Sequence, residues 1–184
     1  DLQKGELNPG SIGSVLGNLI PENAIIVDES VSTGREFFKF TEGSKRHTWL
    51  SNCGGSIGFA LPAATGASIA CPDRKVIALE GDGSGMYTLQ SLWTIARERL
   101  NVTILIFANQ SYKILHGELN NVGVQNPGPS AINMLTLNNP TLDWVHLSKG
   151  MGVDGKKVSD ISQLYSVFKD ALNSQDPFLI EIMI

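Results

Sequence analysis

The sequence predicts an α/β fold of three layers, α/β/α, in which helices cover both faces of a mainly parallel sheet of about six strands. Short, mainly apolar runs at 24–27, 75–79 and 102–108 have the length and composition of strands buried on both faces. Each run closes on polar residues or glycine, and stretches with helical spacing separate the runs. Strands that alternate with helices of this length are joined by crossover connections, which place them parallel in one sheet.

Local signals predict the remaining elements. Asn8 and Pro9 form a cap and a first-turn proline ahead of apolar residues at helical spacing, which predicts a first helix ending near Ile20. The stretch 123–140 is rich in Asn, Pro and Gly and lacks a periodic pattern, so we expect a long loop there. Further helices are predicted over 57–70, 89–100, 142–151 and 161–172, and further strands over 156–158 and 178–183.

Composition limits the class of protein. The 184 residues, 42% of them apolar, can form one well-packed core, so we expect a single domain over 1–184. The formal charge is -4 and the Lys and Arg residues are scattered, which argues against binding to nucleic acid or to an anionic membrane. A small-molecule ligand is therefore expected.

The chain carries no targeting signal that we can identify. Its apolar runs are much shorter than the roughly 20 residues of a membrane-spanning helix, and its first residues do not form a secretory signal. Cys53 and Cys71 are the only cysteines, and we expect both to be buried small residues of a cytoplasmic protein. The first residue is Asp1 rather than Met, which suggests a part of a longer chain.

Polar residues that follow two of the strands predict a binding site. In open parallel sheets, ligands bind beyond the carboxyl ends of the strands. The glycines of Gly81-Asp82-Gly83-Ser84-Gly85 allow backbone N–H groups to approach a phosphate, and Asn109 follows the next strand. The carboxylate of Asp82 and the amide oxygen of Asn109 are hard donors suited to Mg²⁺. Because Mg²⁺ commonly binds together with ligand phosphates, a diphosphate and a metal are expected at the same site.

This pattern resembles the thiamine-diphosphate motif, in which Gly-Asp-Gly is followed after about 25 residues by Asn. The resemblance covers nearly the whole chain, and it implies the thiamine-diphosphate-binding fold with thiamine diphosphate and Mg²⁺ as cofactors. The implied metal ligands are Asp82, Asn109 and the backbone carbonyl of Ser111, and the implied cofactor contacts nearby are Gly81, Gly83, Ser84 and Tyr112.

A second segment supports the resemblance. Residues 51–64 resemble the stretch that precedes the motif in acetolactate synthases and benzoylformate decarboxylases. By that likeness Ile57 is the bulky residue that bends the cofactor, the Gly55 carbonyl accepts from its aminopyrimidine, and Ser56 lies between them. The bend presses the amino group against the thiazolium carbon C2, which then loses its proton and becomes a nucleophile.

The implied function is that of an acetolactate-synthase-like enzyme, a lyase or transferase that decarboxylates a 2-oxo acid and can pass the product to a second carbonyl. The segment after Asn109 departs from the acetolactate synthase pattern, and Tyr112 is nearer to the decarboxylases. Two alternatives therefore stay open: a benzoylformate-type decarboxylase without carboligation, and a non-catalytic subunit that only binds the cofactor. A nicotinamide dehydrogenase is disfavoured, because Met86 replaces the third glycine and Asn109 the ribose-binding acid.

The resemblance also implies a partner. In this family, a Glu on a separate pyrimidine-binding domain activates the cofactor, and we expect that domain on the same or another chain. The chain alone is therefore expected to be inactive, and to work within a homodimer or homotetramer.

Several side chains have two open interpretations. Asp82 alone would fit a helix cap. For His116, a position on a helix surface competes with a role as substrate-side proton donor. Glu29 and Glu118 either face the site or lie on the solvated surface.

Overall fold

The structure, a computed structural model that describes residues 5–184, contains one six-stranded sheet. The strands are β1 (Ile25–Glu29), β2 (Thr48–Ser51), β3 (Val76–Gly81), β4 (Val102–Ala108), β5 (Asp154–Val158) and β6 (Phe178–Met183). All pairings are parallel, and the spatial order is β2-β1-β3-β4-β6-β5. The α/β prediction and the strand number are confirmed.

Nine helices are present in the part of the chain that the structure describes. They are α1 (Pro9–Leu19), α2 (Phe37–Phe40), α3 (Ala60–Ala70), α4 (Asp82–Gly85), α5 (Ser91–Arg97), α6 (Lys113–Asn121), α7 (Pro129–Met134), α8 (Trp144–Gly150) and α9 (Ile161–Asn173).

Two apolar cores sandwich the sheet. Successive side chains of a strand point to opposite faces, so Ile77 packs towards α1 and α9 while its neighbour Ala78 packs towards α3 and α5. Every residue of β4 is buried. This burial on both faces explains why the central strands are continuous apolar runs.

The first helix forms as its cap signal predicts. The Asn8 side chain accepts a hydrogen bond from the Ser11 amide at 3.0 Å, and the Ser11 hydroxyl accepts one from the Asn8 amide at 3.0 Å. The helix continues from Pro9 to Leu19 and buries Ile12, Val15 and Leu16. This reciprocal pair satisfies donors that the first helical turn leaves unpaired.

Three predicted helices are shorter in the structure. The helix predicted over 57–70 begins at Ala60, because Gly58 adopts φ of 86°, which no right-handed helix accommodates. The helix predicted over 89–100 runs only over Ser91–Arg97, and the single turn of α4 precedes it. The helix predicted over 142–151 starts at Trp144, since Asp143 caps it through the His146 amide.

The sequence patterns missed some short elements. Strand β2 is a four-residue edge strand with no buried residue, so it lacks an apolar run. The expected long loop over 123–140 contains α7, which starts at Pro129, and Thr136 bridges to Ser111. The strand predicted over 156–158 begins at Asp154. The connection after Asn109 folds into α6, which buries no residue.

Among the described residues, no helix is both long enough and apolar enough to cross a membrane.

A close contact at Gly85 provides a test of the packing. A Cβ placed on Gly85 would lie 2.7 Å from Cη2 of the buried Trp144, so we expect Gly85→Ala to lower the free energy of unfolding by about 1–3 kcal/mol. Gly66 in α3 is the matched control: a Cβ there meets no atom within 4 Å, so Gly66→Ala should raise stability by about 0.5–1 kcal/mol. Urea titration measures both values. Equal effects of the two substitutions would contradict this packing.

Candidate active site at the carboxyl ends of the strands

Two adjoining cavities lie beyond the carboxyl ends of the strands. The smaller has a volume of about 60 Å³ and is bounded by the Gly81–Ser84 turn and by Asn109 and Ser111. The larger, of about 1030 Å³, extends towards β2 and α6. Five residues border both cavities: Ser30, Val31, Ile57, Tyr112 and Ile114. A single ligand could therefore extend from one cavity into the other.

Asp82 lies in the wall of the small cavity and is only 3% exposed. Its Oδ1 accepts from the Gly83 amide at 2.9 Å and its Oδ2 from the Gln110 amide at 2.7 Å. Burial raises the pKa of Asp82 to about 6 against the lowering effect of these bonds, and the charge of Glu181 raises it slightly further. A nearby cation would favour the ionised form of this carboxyl.

Asn109 and Ser111 complete the polar wall. The Ser111 amide donates to Asn109 Oδ1 at 3.0 Å, and the Ser111 hydroxyl donates to the Leu135 carbonyl at 3.1 Å. Gln110 between them has φ of 55°. These contacts fix the turn after β4, so that Asn109 and Ser111 border the same cavity as Asp82.

The small cavity suits a metal and a diphosphate. In residues 5–184, no group of three or more His, Cys, Asp or Glu side chains is placed to hold a metal ion. A cation here would instead use the single carboxylate of Asp82, the amide oxygen of Asn109, a backbone carbonyl and ligand phosphates, which is a set that Mg²⁺ accepts. A Cβ on Gly83 would come within 2.7 Å of the Tyr112 ring, so the absence of a side chain at Gly83 allows the ring to lie this close to the turn.

The segment 52–58 carries the second group of predicted residues. Gly54 and Gly55 have φ of 71° and 66°, in the left-handed region that glycine adopts readily. Gly55 borders the large cavity, and Ile57 stands between the two cavities with 41% of its surface exposed. Ser56 borders neither cavity; its carbonyl accepts from the Asn52 side chain at 2.9 Å.

Glu29 is buried, with 2% exposure, and borders the large cavity, so of its two open interpretations the structure supports a position facing the site. Its carboxylate lies against the start of α3, where Oε1 accepts from the Gly58 amide at 2.8 Å and Oε2 from the Phe59 and Ala60 amides at 2.6 and 2.8 Å. The unpaired amides at a helix start attract an anion, which explains the burial of this charge.

Glu29 belongs to a row of carboxyl groups across the sheet. Glu29 pairs in register with Glu80, Glu80 with Ile106, and Ile106 with Glu181, so three buried glutamates share one level. Lys157 at the sheet edge places Nζ 3.1 Å from Glu181 Oε1. Burial raises the pKa of Glu80 well above its usual range, and the charge of Glu29 raises it further.

Other predicted residues lie apart from the cavities. His116 and Glu118 are on α6 and border neither cavity; Glu118 is exposed and accepts from Asn121 at 3.2 Å. Cys53 is exposed and Cys71 partly exposed, so the prediction of two buried cysteines is wrong. Cys53 lies in the glycine-rich turn before α3, outside both cores.

Several cavity residues were not predicted from the sequence. The loop Val31-Ser32-Thr33, which continues from Ser30, borders the small cavity beside Asp82. Since it follows β1 directly, the strand-end rule that identified Asp82 could have found it. Phe38, Trp49, Tyr87 and Met134 border the large cavity from separate parts of the chain, and no local pattern marks them.

Known proteins share both the sequence and the fold of this chain. IlvX of Mycobacterium tuberculosis, provisionally named as an acetolactate synthase large subunit, is 42% identical over 100% of this chain and 36% of its own length. Benzoylformate decarboxylase of Pseudomonas aeruginosa is 34% identical over 97% of this chain and 32% of its own length. The chain thus spans about a third of the length of these relatives.

The solved structure of a thiamine diphosphate-dependent 4-hydroxybenzoylformate decarboxylase from Rhodococcus jostii superposes with a TM-score of 0.81. It is 33% identical, and the match covers 97% of this chain and 32% of that one. Residues 30–182 match the family described as the thiamine pyrophosphate enzyme C-terminal TPP-binding domain. The chain belongs to this family of thiamine-diphosphate-dependent enzymes.

Proposed function

We propose that this chain holds thiamine diphosphate through Mg²⁺ in an enzyme that decarboxylates a 2-oxo acid, with or without transfer of the product to a second carbonyl. The observation that carries the proposal is the junction of the two cavities. Asp82, Asn109 and Ser111 border the small cavity, and Ile57 is among the residues that border both cavities. A bent cofactor would place its diphosphate in the first and its rings against Ile57.

Each site residue has a distinct part in this proposal. Asp82, Asn109 and the Ser111 carbonyl would hold the metal, while Gly81, Gly83 and Ser84 would border the diphosphate. Ile57 would support the bend, Gly55 and Ser56 would form the adjoining backbone, and Tyr112 would close the wall between the cavities. When bound, thiamine diphosphate supplies a nucleophilic carbon and an electron sink. The residues of this chain would position the cofactor.

The lining of the large cavity favours the decarboxylase over the acetolactate synthase within this family. Apolar and aromatic side chains dominate the wall, among them Phe38, Trp49, Leu115 and Met134. Such a wall suits a 2-oxo acid with a large apolar side chain better than a small one. Incubation of the full-length enzyme with arylglyoxylate and with pyruvate distinguishes the two: aldehyde from the first supports the decarboxylase, and acetolactate from the second supports the synthase.

The catalytic unit requires more than this chain. The large cavity is open to solvent beside exposed apolar side chains, with Tyr87 58% and Met134 77% exposed. A pyrimidine-binding domain, from the same or another chain, would cover this face and contribute the activating Glu, which makes a homodimer or homotetramer the expected assembly.

Calorimetric titration of the full-length protein with thiamine diphosphate, with and without Mg²⁺, tests the cofactor site. We expect binding that requires Mg²⁺ and is lost in Asp82→Ala, because the substitution removes the one carboxylate of the proposed metal site. Asp143→Ala is the control, since Asp143 is an exposed helix cap outside both cavities. Binding of thiamine diphosphate to the wild-type protein that does not depend on Mg²⁺, or no binding at all, would refute the proposal.

The burial of Asp82 also predicts a pH dependence. Because the folded-state pKa of about 6 exceeds the ordinary 3.8, the folded protein binds the proton more tightly than the unfolded one. The contribution of Asp82 to stability is therefore full below the ordinary pKa and lost as pH rises through about 6, a change of up to about 3 kcal/mol. Denaturant titrations from pH 4 to pH 7 should show this fall in the unloaded protein.

Two variants separate this effect from other titrations. Asp82→Asn should remove that part of the pH dependence, whereas Asp143→Asn should leave it in place, because the bond from the His146 amide lowers the pKa of Asp143 instead. Mg²⁺ with thiamine diphosphate should stabilise the wild-type protein most above pH 6. A pH profile unchanged in Asp82→Asn would contradict the assignment.

A further inference from the structure

We infer that Glu29 is a positioning residue that fixes Ile57 and Gly55 against the cofactor; the inference rests on the proposed function. Glu29 is at the end of β1, more than twenty residues before the segment that it holds. Its carboxylate connects the sheet to that segment through four hydrogen bonds, three from the backbone amides of residues 58–60 and one from the Asn52 side chain at 3.2 Å.

The segment has little else to fix it. Gly54, Gly55 and Gly58 all have positive φ, and glycine loses more conformational freedom than any other residue when it is ordered. Helix α3 has no side-chain cap of its own at Phe59. Apart from Glu29, two further bonds hold the segment: the Thr88 hydroxyl donates to the Gly58 carbonyl at 3.0 Å, and the Asn52 backbone amide donates to the Asp28 carbonyl at 3.2 Å.

Glu29 also orients the side chain of Asn52. The Asn52 amide donates both to Glu29 Oε1 and to the Ser56 carbonyl, at 3.2 and 2.9 Å. The carboxylate therefore acts on both ends of the turn: on Asn52 before the glycines and on Gly58 after them. Gly55 and Ile57 lie between these two anchors.

This arrangement keeps an apolar side chain at the boundary of the two cavities. Ile57 is 41% exposed, although isoleucine is usually buried. Without the anchors, the glycine-rich turn would be free to move Ile57 away from the cavity junction. The bonds of Glu29 are charge-assisted and exceed neutral hydrogen bonds in strength, so they are well suited to resist this movement.

If Glu29 only capped and stabilised α3, its loss would lower the stability of the protein without a selective effect on either half of the cofactor. Positioning predicts a local effect: the apolar half of the cofactor should lose affinity, while the diphosphate half, at Asp82 and Asn109, should not. Inorganic pyrophosphate with Mg²⁺ probes the diphosphate half alone, and thiamine diphosphate with Mg²⁺ probes both halves.

The test compares Glu29→Gln with wild type in the full-length protein. The amide of Gln replaces one acceptor oxygen with a donor that faces backbone N–H groups. We expect about a tenfold loss of affinity for thiamine diphosphate, from the loss of charge-assisted bonds, with the affinity for pyrophosphate unchanged. Hydrogen exchange of the backbone amides over 52–60 should accelerate in the unloaded protein.

Lys75→Met is the matched control. Lys75 is also a buried charge at a helix end, donating to the Ala171 and Ser174 carbonyls at 2.9 and 2.8 Å, but at the opposite end of the sheet. This variant should lower stability without changing either affinity or the exchange over 52–60. If Glu29→Gln fails to fold, Glu29→Asp keeps the charge at α3 with a shorter reach, and the same results are expected.

The outcomes separate the inference from the proposed function. Selective loss of thiamine diphosphate affinity with faster local exchange supports positioning by Glu29. Equal loss of both affinities, no change in either, or the same selective loss in Lys75→Met overturns it. Failure of the wild-type protein to bind either probe with Mg²⁺ would instead refute the proposed function.

Discussion

The parallel alignment of the strands is the constraint on which the site depends. A sheet buried on both faces requires apolar strands joined by crossovers, so the carboxyl ends of β1, β3 and β4 meet along one edge. Register then places polar residues from distant parts of the chain at one level. Glu29, Glu80 and Glu181 lie in one row, and Asp82 follows directly after β3.

The buried acids in this region have different surroundings. Backbone amides surround the Glu29 carboxylate, burial and the charge of Glu29 raise the pKa of Glu80, and Lys157 approaches Glu181. Asp82 has only two amide partners, and its raised pKa shows that they do not fully compensate its burial. A bound cation beside Asp82 would favour its ionised form.

The parts of this structure that the sequence predicts are those with local signals. Apolar runs located β1, β3, β4 and β6, and the Asn8 cap located α1, because each depends on neighbouring residues. Strand β2 and the role of Glu29 could not be found in this way. Four exposed or half-exposed residues form β2, and Glu29 is explained only by amides that are about thirty residues away. Such contacts come from the fold and leave no periodic pattern.

The two cavities differ in what builds them, and this difference has a functional consequence. Residues that follow β1, β3 and β4 form most of the small cavity, together with Ile57 and the start of α6. The large cavity is bordered by residues of α2, α6 and α7, and neither α6 nor α7 contains a buried residue. Backbone bonds such as Tyr112 N–H to the Leu135 carbonyl, at 2.9 Å, hold this wall. Side chains such as Leu115 and Met134 can therefore change without disturbing the core, so the lining of the large cavity can vary while the small cavity stays the same.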